Sequence, residues 1–298
     1  MGERPRRSLS PSRANDYLSC PRLYYYRNIE QVPEPPSMAA VRGTLVHAVL
    51  EDLFALEPQE RTPQTAIDLI TPAWQGMADR DPALPSLLLG PEENWTRSLN
   101  GEPLIPPADD AAAPLFAEAE KHLGKYFTLE DPRRLQPAER ELPVSHELPS
   151  GLTLRGVIDR LDVAQNGAVR VVDYKTGRAP GAGWESTALF QMRFYGLVLW
   201  RMRGRVPDRL LLIYLGNTET LSVSPTQQEL VATERKLEAI WAAIERSIET
   251  NDWSPRPSRT CSWCSFQSVC PAKGGRGTAE PSSVGGEHRG ADVSGSSE

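Results

Sequence analysis

The chain has 298 residues, 39% of them hydrophobic and 24% charged, which suits a soluble globular protein able to bury a full core. With 33 basic and 39 acidic residues the net charge is -6, so the chain carries no overall cationic footprint for nucleic acid, although a local groove can still be basic. No stretch approaches the roughly 18–20 apolar residues of a membrane span, and the arginine-bearing N-terminus lacks the apolar segment of a secretory signal, so a cytoplasmic protein is expected.

The first segment interleaves Arg4, Arg6, Arg7, Arg13, Arg22 and Arg27 with Tyr17, Tyr24, Tyr25 and Tyr26. It reads equally as a phosphate-contacting surface or as a solvated arm leading into a tyrosine-rich core helix. Ser10 followed by Pro11 predicts a capped helix start, and Cys20-Pro21 an interruption. GTLVHAVLEDLFAL, residues 43–56, predicts a helix: Leu45, Val49, Leu53 and Leu56 fall at helical spacing, with Val46, Leu50 and Phe54 widening the stripe. Weaker helical patterns follow over 63–78 and 112–129, and the Pro- and acid-rich stretch between about 80 and 112 reads as an irregular linker or lobe.

From about 138 the pattern changes to three strands, 138–148, 152–164 and 168–177, turned by Pro149-Ser150-Gly151 and by Asn166-Gly167. A helix over 185–203, a strand over 208–216, a weaker strand over 219–224 and a helix over 225–250 complete an α/β pattern, a mixed sheet flanked by helices. The expected organisation is an N-terminal helical region over 1–130, holding Cys20 and His47, and a core with a C-terminal cysteine cluster over 131–271. The tail over 272–298 has almost nothing to bury and is expected to be disordered.

The strand VRVVDYKTG, residues 169–177, ends on Asp173 and Lys175, which share a face because side chains repeat every two residues. A salt bridge at a strand end is the plain reading. If 152–163 pairs with 168–175 around Asn166-Gly167, however, Asp159 comes beside Asp173. Alternation then sets Val157, Asp159 and Leu161 on one face, and Val171, Asp173 and Lys175 on one face of the next strand. Two carboxylates crowded on an apolar face repel and lose hydration unless a divalent cation lies between them. Oxygen ligands suit Mg²⁺ or Mn²⁺. Lys175 would then orient or activate a metal-bound water, or offset charge on a phosphoryl oxygen. His47 is a candidate ligand from its helix, with Glu51 four residues on and on the same side. Gln191 and Tyr195, also four apart, can face the same cleft, while Asp162 counts to the opposite face.

The order GTLVH, GVIDRLD, VVDYKTG and QMRFY resembles the RecB-like branch of the PD-(D/E)xK nuclease superfamily, which includes the Cas4-like exonucleases. The resemblance runs from about residue 8 to 271. It implies the restriction-endonuclease-like fold and a metal site built from His47, Asp159, Asp173 and the main-chain carbonyl of Tyr174. It also implies catalytic roles for Asp159, Asp173 and Lys175, and makes Gln191 and Tyr195 the motif that follows.

All four cysteines fall into one pattern, Cys20 near the start and Cys261, Cys264 and Cys270 in CSWCSFQSVC. Four thiolates at one site suit zinc or an iron–sulfur cluster, and disulfides are not expected in a cytosolic chain. Close pairs are common for zinc, but one plus three is less typical of zinc ribbons. The same resemblance implies a [4Fe–4S] cluster that staples the two ends of the chain, with Trp263 and Phe266 shielding it or packing the segment.

The function expected is that of a metal-dependent deoxyribonuclease, an exonuclease acting on single-stranded or frayed DNA ends in repair or processing. No G-x-x-x-x-G-K-[S/T] occurs, so any unwinding falls to a separate helicase. A nucleic-acid-binding repair or scaffold protein with little turnover, and an RNA-directed nuclease, are the alternatives; no residue pattern reports on a 2′-hydroxyl.

Overall fold

The structure, a computed structural model, describes residues 7–34, 37–88, 94, 97, 100–102, 111–181 and 185–275. Arg4, Arg6, much of the 80–112 stretch and the tail from 276 on lie outside the described residues. The chain divides into two compact units, Met1–Arg256 and Pro257–Glu298. No helix among the described residues is long and apolar enough to cross a membrane.

In the larger unit, α1 (Pro11–Ser19) starts where Ser10 Oγ accepts the Arg13 N–H at 3.3 Å, with Pro11 at the first helical position. Cys20 is extended, and Pro21 opens α2 (Pro21–Tyr24), which runs on into a π-type turn over Tyr25–Ile29. α3 (Met38–Ala55) begins ahead of its apolar periodicity because Ser37 caps it, Oγ accepting the Ala40 N–H at 3.1 Å. Its Leu45, Val46, Val49, Leu50 and Leu53 are all buried, shared between one face of the sheet and the helices α4 (Pro63–Asp68), α5 (Ile70–Arg80) and α6 (Ala113–Leu129).

Six strands form one mixed sheet: β1 (Ser8–Leu9), β2 (Pro137–Glu147), β3 (Thr153–Val163), β4 (Val169–Lys175), β5 (Arg209–Tyr214) and β6 (Glu219–Val223). Their order is β1-β3-β4-β5-β6, with β2 also paired to β3. β4 and β5 are parallel, as a crossover through α7 (Glu185–Arg203) requires, and β1 is parallel to β3. The two-residue β1 is too short to leave a periodic signal in the sequence. The hairpin turn between β3 and β4 forms at Asn166-Gly167, where Gly167 takes φ +78° at no steric cost. α8 (Gln227–Thr250) starts on a reciprocal cap between Thr226 and Glu229.

Both faces of the sheet are covered, which is why β4 and β5 read as near-continuous apolar runs. Val171, Leu210 and Leu212 pack with Phe194 and Leu197 of α7 and Leu237 and Trp241 of α8, while Val172, Tyr174, Leu211 and Ile213 pack against α3 and its neighbours. The N-terminal tyrosines join the first of these cores. Tyr24 is buried and stacks on Trp253, and the Tyr17 hydroxyl donates to the Ala243 carbonyl at 2.9 Å. Arg27 is held by Asp16 and Glu34, and Arg22 lies over the Tyr25 and Tyr26 rings, so these two arginines are engaged within the fold.

The smaller unit carries short 3-10 turns over Arg259–Trp263 and Pro271–Lys273. Phe266 is buried, but Trp263 is 88% exposed. Trp263 therefore does not pack this segment: it ends a single 3-10 turn whose neighbour Ser262 is also exposed.

Candidate active site

The site forms where the sheet forks. β2 runs along one edge of β3, pairing through Thr153 to Asp162. The other edge is shared: β1 pairs with Thr153 and Leu154, and β4 with Arg160 to Val163. Residues 155–159 of β3 thus face a gap between β1 and β4. The β3–β4 register, Arg160 to Val172, continues to place Asp159 opposite Asp173, as the count from Asn166-Gly167 expects, but the ladder ends before that rung. The Tyr174 N–H goes instead to Asp159 Oδ2 at 2.7 Å. A side-chain carboxylate has replaced a strand carbonyl, keeping the donor satisfied while the strands separate.

The facing expected for β3 is corrected here. Val157 is 43% exposed, whereas Ile158 and Leu161 are both buried in the core beneath α7. Strict alternation cannot put residues three apart on one face, so the strand slips phase between them. β2 does the same on the facing rung. Leu142 and Val144 pack toward the α7 core, yet Arg140 reaches α3, donating to the Glu51 carbonyl at 2.7 Å. Between them Glu141 has φ +41°, a left-handed conformation rare for a residue with a side chain. Val157, Asp159 and Leu161 therefore do not share a face.

His47 of α3 meets this kink. Its Nδ1 is 3.4 Å from Asp159 Oδ2, and its Nε2 is 3.0 Å from the Tyr174 carbonyl. With Nε2–H donating to that carbonyl, Nδ1 turns its lone pair toward the carboxylates, the tautomer a metal ligand needs. His47, Glu141 and Asp159 each offer a ligand atom, all within 4.8 Å of one another. Glu141 is the residue that sequence reasoning missed. Its signal was available: counting outward from Pro149-Ser150-Gly151 sets Glu141 opposite Asp159, in line with the observed pairs Arg140–Arg160 and Leu142–Ile158.

Asp173 lies on the α7 side and is fully engaged. Oδ2 is 2.6 Å from Lys175 Nζ, and Oδ1 accepts from Gln191 Nε2 at 2.8 Å. Gln191 also reaches the Tyr195 hydroxyl at 3.3 Å, so the pair four apart on α7 does face Asp173. Gly156 makes room for this: a Cβ there would lie 2.7 Å from the Tyr195 ring. The structure thus brings Asp173, Lys175, Gln191 and Tyr195 into one chain of contacts, and His47, Asp159 and the Tyr174 main chain into another. Asp173 is outside the group of mutually close ligand atoms. Glu51 stays exposed; it lines a groove of about 360 Å³ beside His47, Glu141 and Arg80.

The carboxylates at the fork raise one another's proton affinity. Burial first, then the Asp159 charge, raises the Asp173 carboxyl to about 6 against the pull of Lys175. Burial and Asp159 likewise push Glu141 up to about 7, with His47 opposing. Burial also raises the Tyr195 hydroxyl, so it stays a neutral hydrogen-bonding group.

Behind the site, buried Arg160 binds Glu130 at 2.8 Å, Asp162 at 3.1 Å and the Tyr174 hydroxyl at 2.6 Å, with the Phe54 ring against its guanidinium. Asp162 also pairs with Arg170 at 2.7 Å, which commits it to this cluster. His122 Nε2 lies 3.0 Å from the Thr176 carbonyl and so braces the exit of β4.

Of the cysteines, Cys20 accepts the Arg256 N–H at 3.3 Å in the larger unit, and Cys261 accepts the Ser258 N–H at 3.3 Å in the smaller one. All four are half-buried and outside any disulfide.

The PD-(D/E)XK nuclease superfamily profile matches residues 8–271, and the chain belongs to that superfamily. The mixed sheet flanked by helices is the fold expected of it. Among known proteins, the chain is 23% identical over 285 residues to the Gene 69 protein of Mycobacterium phage L5, covering 88% of this chain and 95% of the phage protein. Among solved structures, it is similar to a candidate exonuclease from Eubacterium rectale, with a TM-score of 0.51 at 11% identity, over 94% of this chain and 92% of the other. At that identity the likeness speaks to fold. Enzymes of this superfamily use divalent metals, and the fork carries nitrogen and oxygen donors of the kind such an ion takes.

Proposed function

We propose that this protein is a cytoplasmic, divalent-metal-dependent deoxyribonuclease of the RecB-like branch, an exonuclease that hydrolyses phosphodiesters at single-stranded or frayed DNA ends in repair or processing. The observation that carries the reading is the fork at Asp159 and Asp173, with His47 on one side and Lys175 on the other, in a chain of this superfamily. Mg²⁺ or Mn²⁺, held by His47, Asp159 and Asp173 with the Tyr174 carbonyl, would supply an activated water and offset phosphoryl charge.

The chain's own residues do the positioning. Lys175 Nζ, fixed by Asp173, stands where it can hold the attacking water or a phosphate oxygen. Gln191 fixes the other Asp173 oxygen, and Tyr195 fixes Gln191. Arg80, exposed at the rim of the groove beside His47, gives the substrate backbone a cation in an otherwise acidic protein.

A [4Fe–4S] cluster on Cys20, Cys261, Cys264 and Cys270 belongs to the same reading, as a structural staple. The sulfur atoms of Cys20 and Cys261 each accept a backbone N–H, the environment that suits a thiolate ligand. Unwinding of duplex DNA is assigned to a separate helicase.

The test is degradation of end-labelled single-stranded DNA with Mg²⁺ or Mn²⁺, comparing anaerobically purified wild type with Lys175→Ala. Metal-dependent laddering from one end, lost in the variant, is expected. Cleavage that survives Lys175→Ala would refute the site, and cleavage of RNA alone would replace DNA as the substrate.

A further inference from the structure

The fork leaves one acidic side chain that the nuclease reading does not use. We propose that Glu141, on β2, is a ligand of the catalytic cation, entering from the strand edge opposite Lys175. This inference rests on the metal-dependent reading and adds a ligand to it from an element outside the Asp159–Asp173 hairpin.

Three observations converge. First, the Glu141 carboxylate lies within 4.8 Å of the ligand atoms of both His47 and Asp159, a grouping that Asp173 does not join. Second, charge balance around the pair is missing. Lys175 is committed to Asp173, and Arg140 to the Glu51 carbonyl. Among the described residues neither Glu141 nor Asp159 has an ion pair with Lys or Arg; the one partner is His47, at Asp159. Two half-buried carboxylates and an imidazole nitrogen converging on one point are a donor set for a hard or borderline cation. Third, the backbone is shaped to deliver the side chain. Both β2 and β3 change phase at the Glu141–Asp159 rung, with Glu141 left-handed at φ +41°. Regular alternation on either strand would separate the two carboxylates from His47.

The decisive measurement is Mn²⁺ affinity of the metal-free full chain, read from the loss of the free-ion paramagnetic resonance signal, for wild type, Glu141→Gln, Glu141→Gly and Asp52→Asn. Glu141→Gln is expected to weaken binding about 10-fold or more. Asp52→Asn, altering an exposed carboxylate outside the groove, should leave affinity within about twofold. Glu141→Gly removes the charge and relieves the positive φ, so its metal-free melting temperature should equal or exceed that of wild type while Mn²⁺ loses most of its stabilising effect. This separates a lost ligand from a damaged fold.

Wild-type affinity in Glu141→Gln would overturn the assignment even in an active nuclease. Weakened Mn²⁺ binding in a protein that cleaves no nucleic acid would instead uphold the ligand and remove the nuclease reading.

Discussion

Asp173→Asn should make the metal-free protein more stable while removing its activity. Asp173 is 2% exposed, and burial with the neighbouring Asp159 charge lifts its carboxyl from 3.8 to about 6. The native chain therefore holds a proton that the unfolded chain has already released between those values. Stability falls as pH rises through that window and stays lost above it. A rise of roughly two pH units, at about 1.4 kcal/mol each, makes the ionised carboxylate cost about 3 kcal/mol near neutral pH. That cost is already net of the pull of Lys175, which is a third exposed. An asparagine can still accept from Gln191, so the gain is about 3 kcal/mol, or about 5 °C in melting temperature at roughly 2.1 cal/mol/K of unfolding entropy per residue. The assay is thermal unfolding in chelator at about pH 7.5 and again at about pH 4, where the gain should nearly vanish. A lower melting temperature than wild type at the higher pH, or an equal gain at both, would refute the electrostatic account.

Other consequences are smaller or simpler. Arg160→Met should lower stability in urea unfolding by roughly 3 kcal/mol, the low end for a broken buried pair, because Arg170 still meets Asp162 and Glu130. A loss under about 1 kcal/mol would mean the Arg160 cluster is not what holds α6 to the sheet. Gly156→Ala forces the buried Tyr195 ring to move and, through Gln191, loosens Asp173, so cleavage should drop about 10-fold at a stability cost of about 1–3 kcal/mol; full activity would show that Tyr195 is not needed in place. Cys264→Ser should remove the iron and its visible absorbance from anaerobically purified protein. Zinc in the wild type, with no iron, would replace the cluster by a zinc site.

Much of this architecture could be read in advance because its signals are local. The 3.6-residue stripe of α3, the Ser10–Pro11 start and the Asn166-Gly167 turn each need only neighbours along the chain. The turn then fixed the register that sets Asp159 across from Asp173. What escaped depends on departures from regularity. Alternation assumed through Asp159 misplaced Val157 and Leu161, because a phase slip is settled by what packs on both faces of the sheet. The same assumption hid Glu141, whose usefulness comes from a left-handed backbone that no periodic pattern encodes. Trp263 misled for another reason, since an aromatic residue beside cysteines gives no hint of whether anything covers it.

Tyr174 does two unrelated things at once. Its main chain gives its N–H to Asp159 and its carbonyl to His47, while its side chain runs the other way to bond Arg160 in the interior. One residue is thus the shared wall between the reactive gap and the buried arginine cluster. Substitutions at Phe54, Glu130 or Arg160 would reach Asp159 and His47 through this single residue. Its amide resonance would register both a cation arriving in the gap and a repacking of the core behind it.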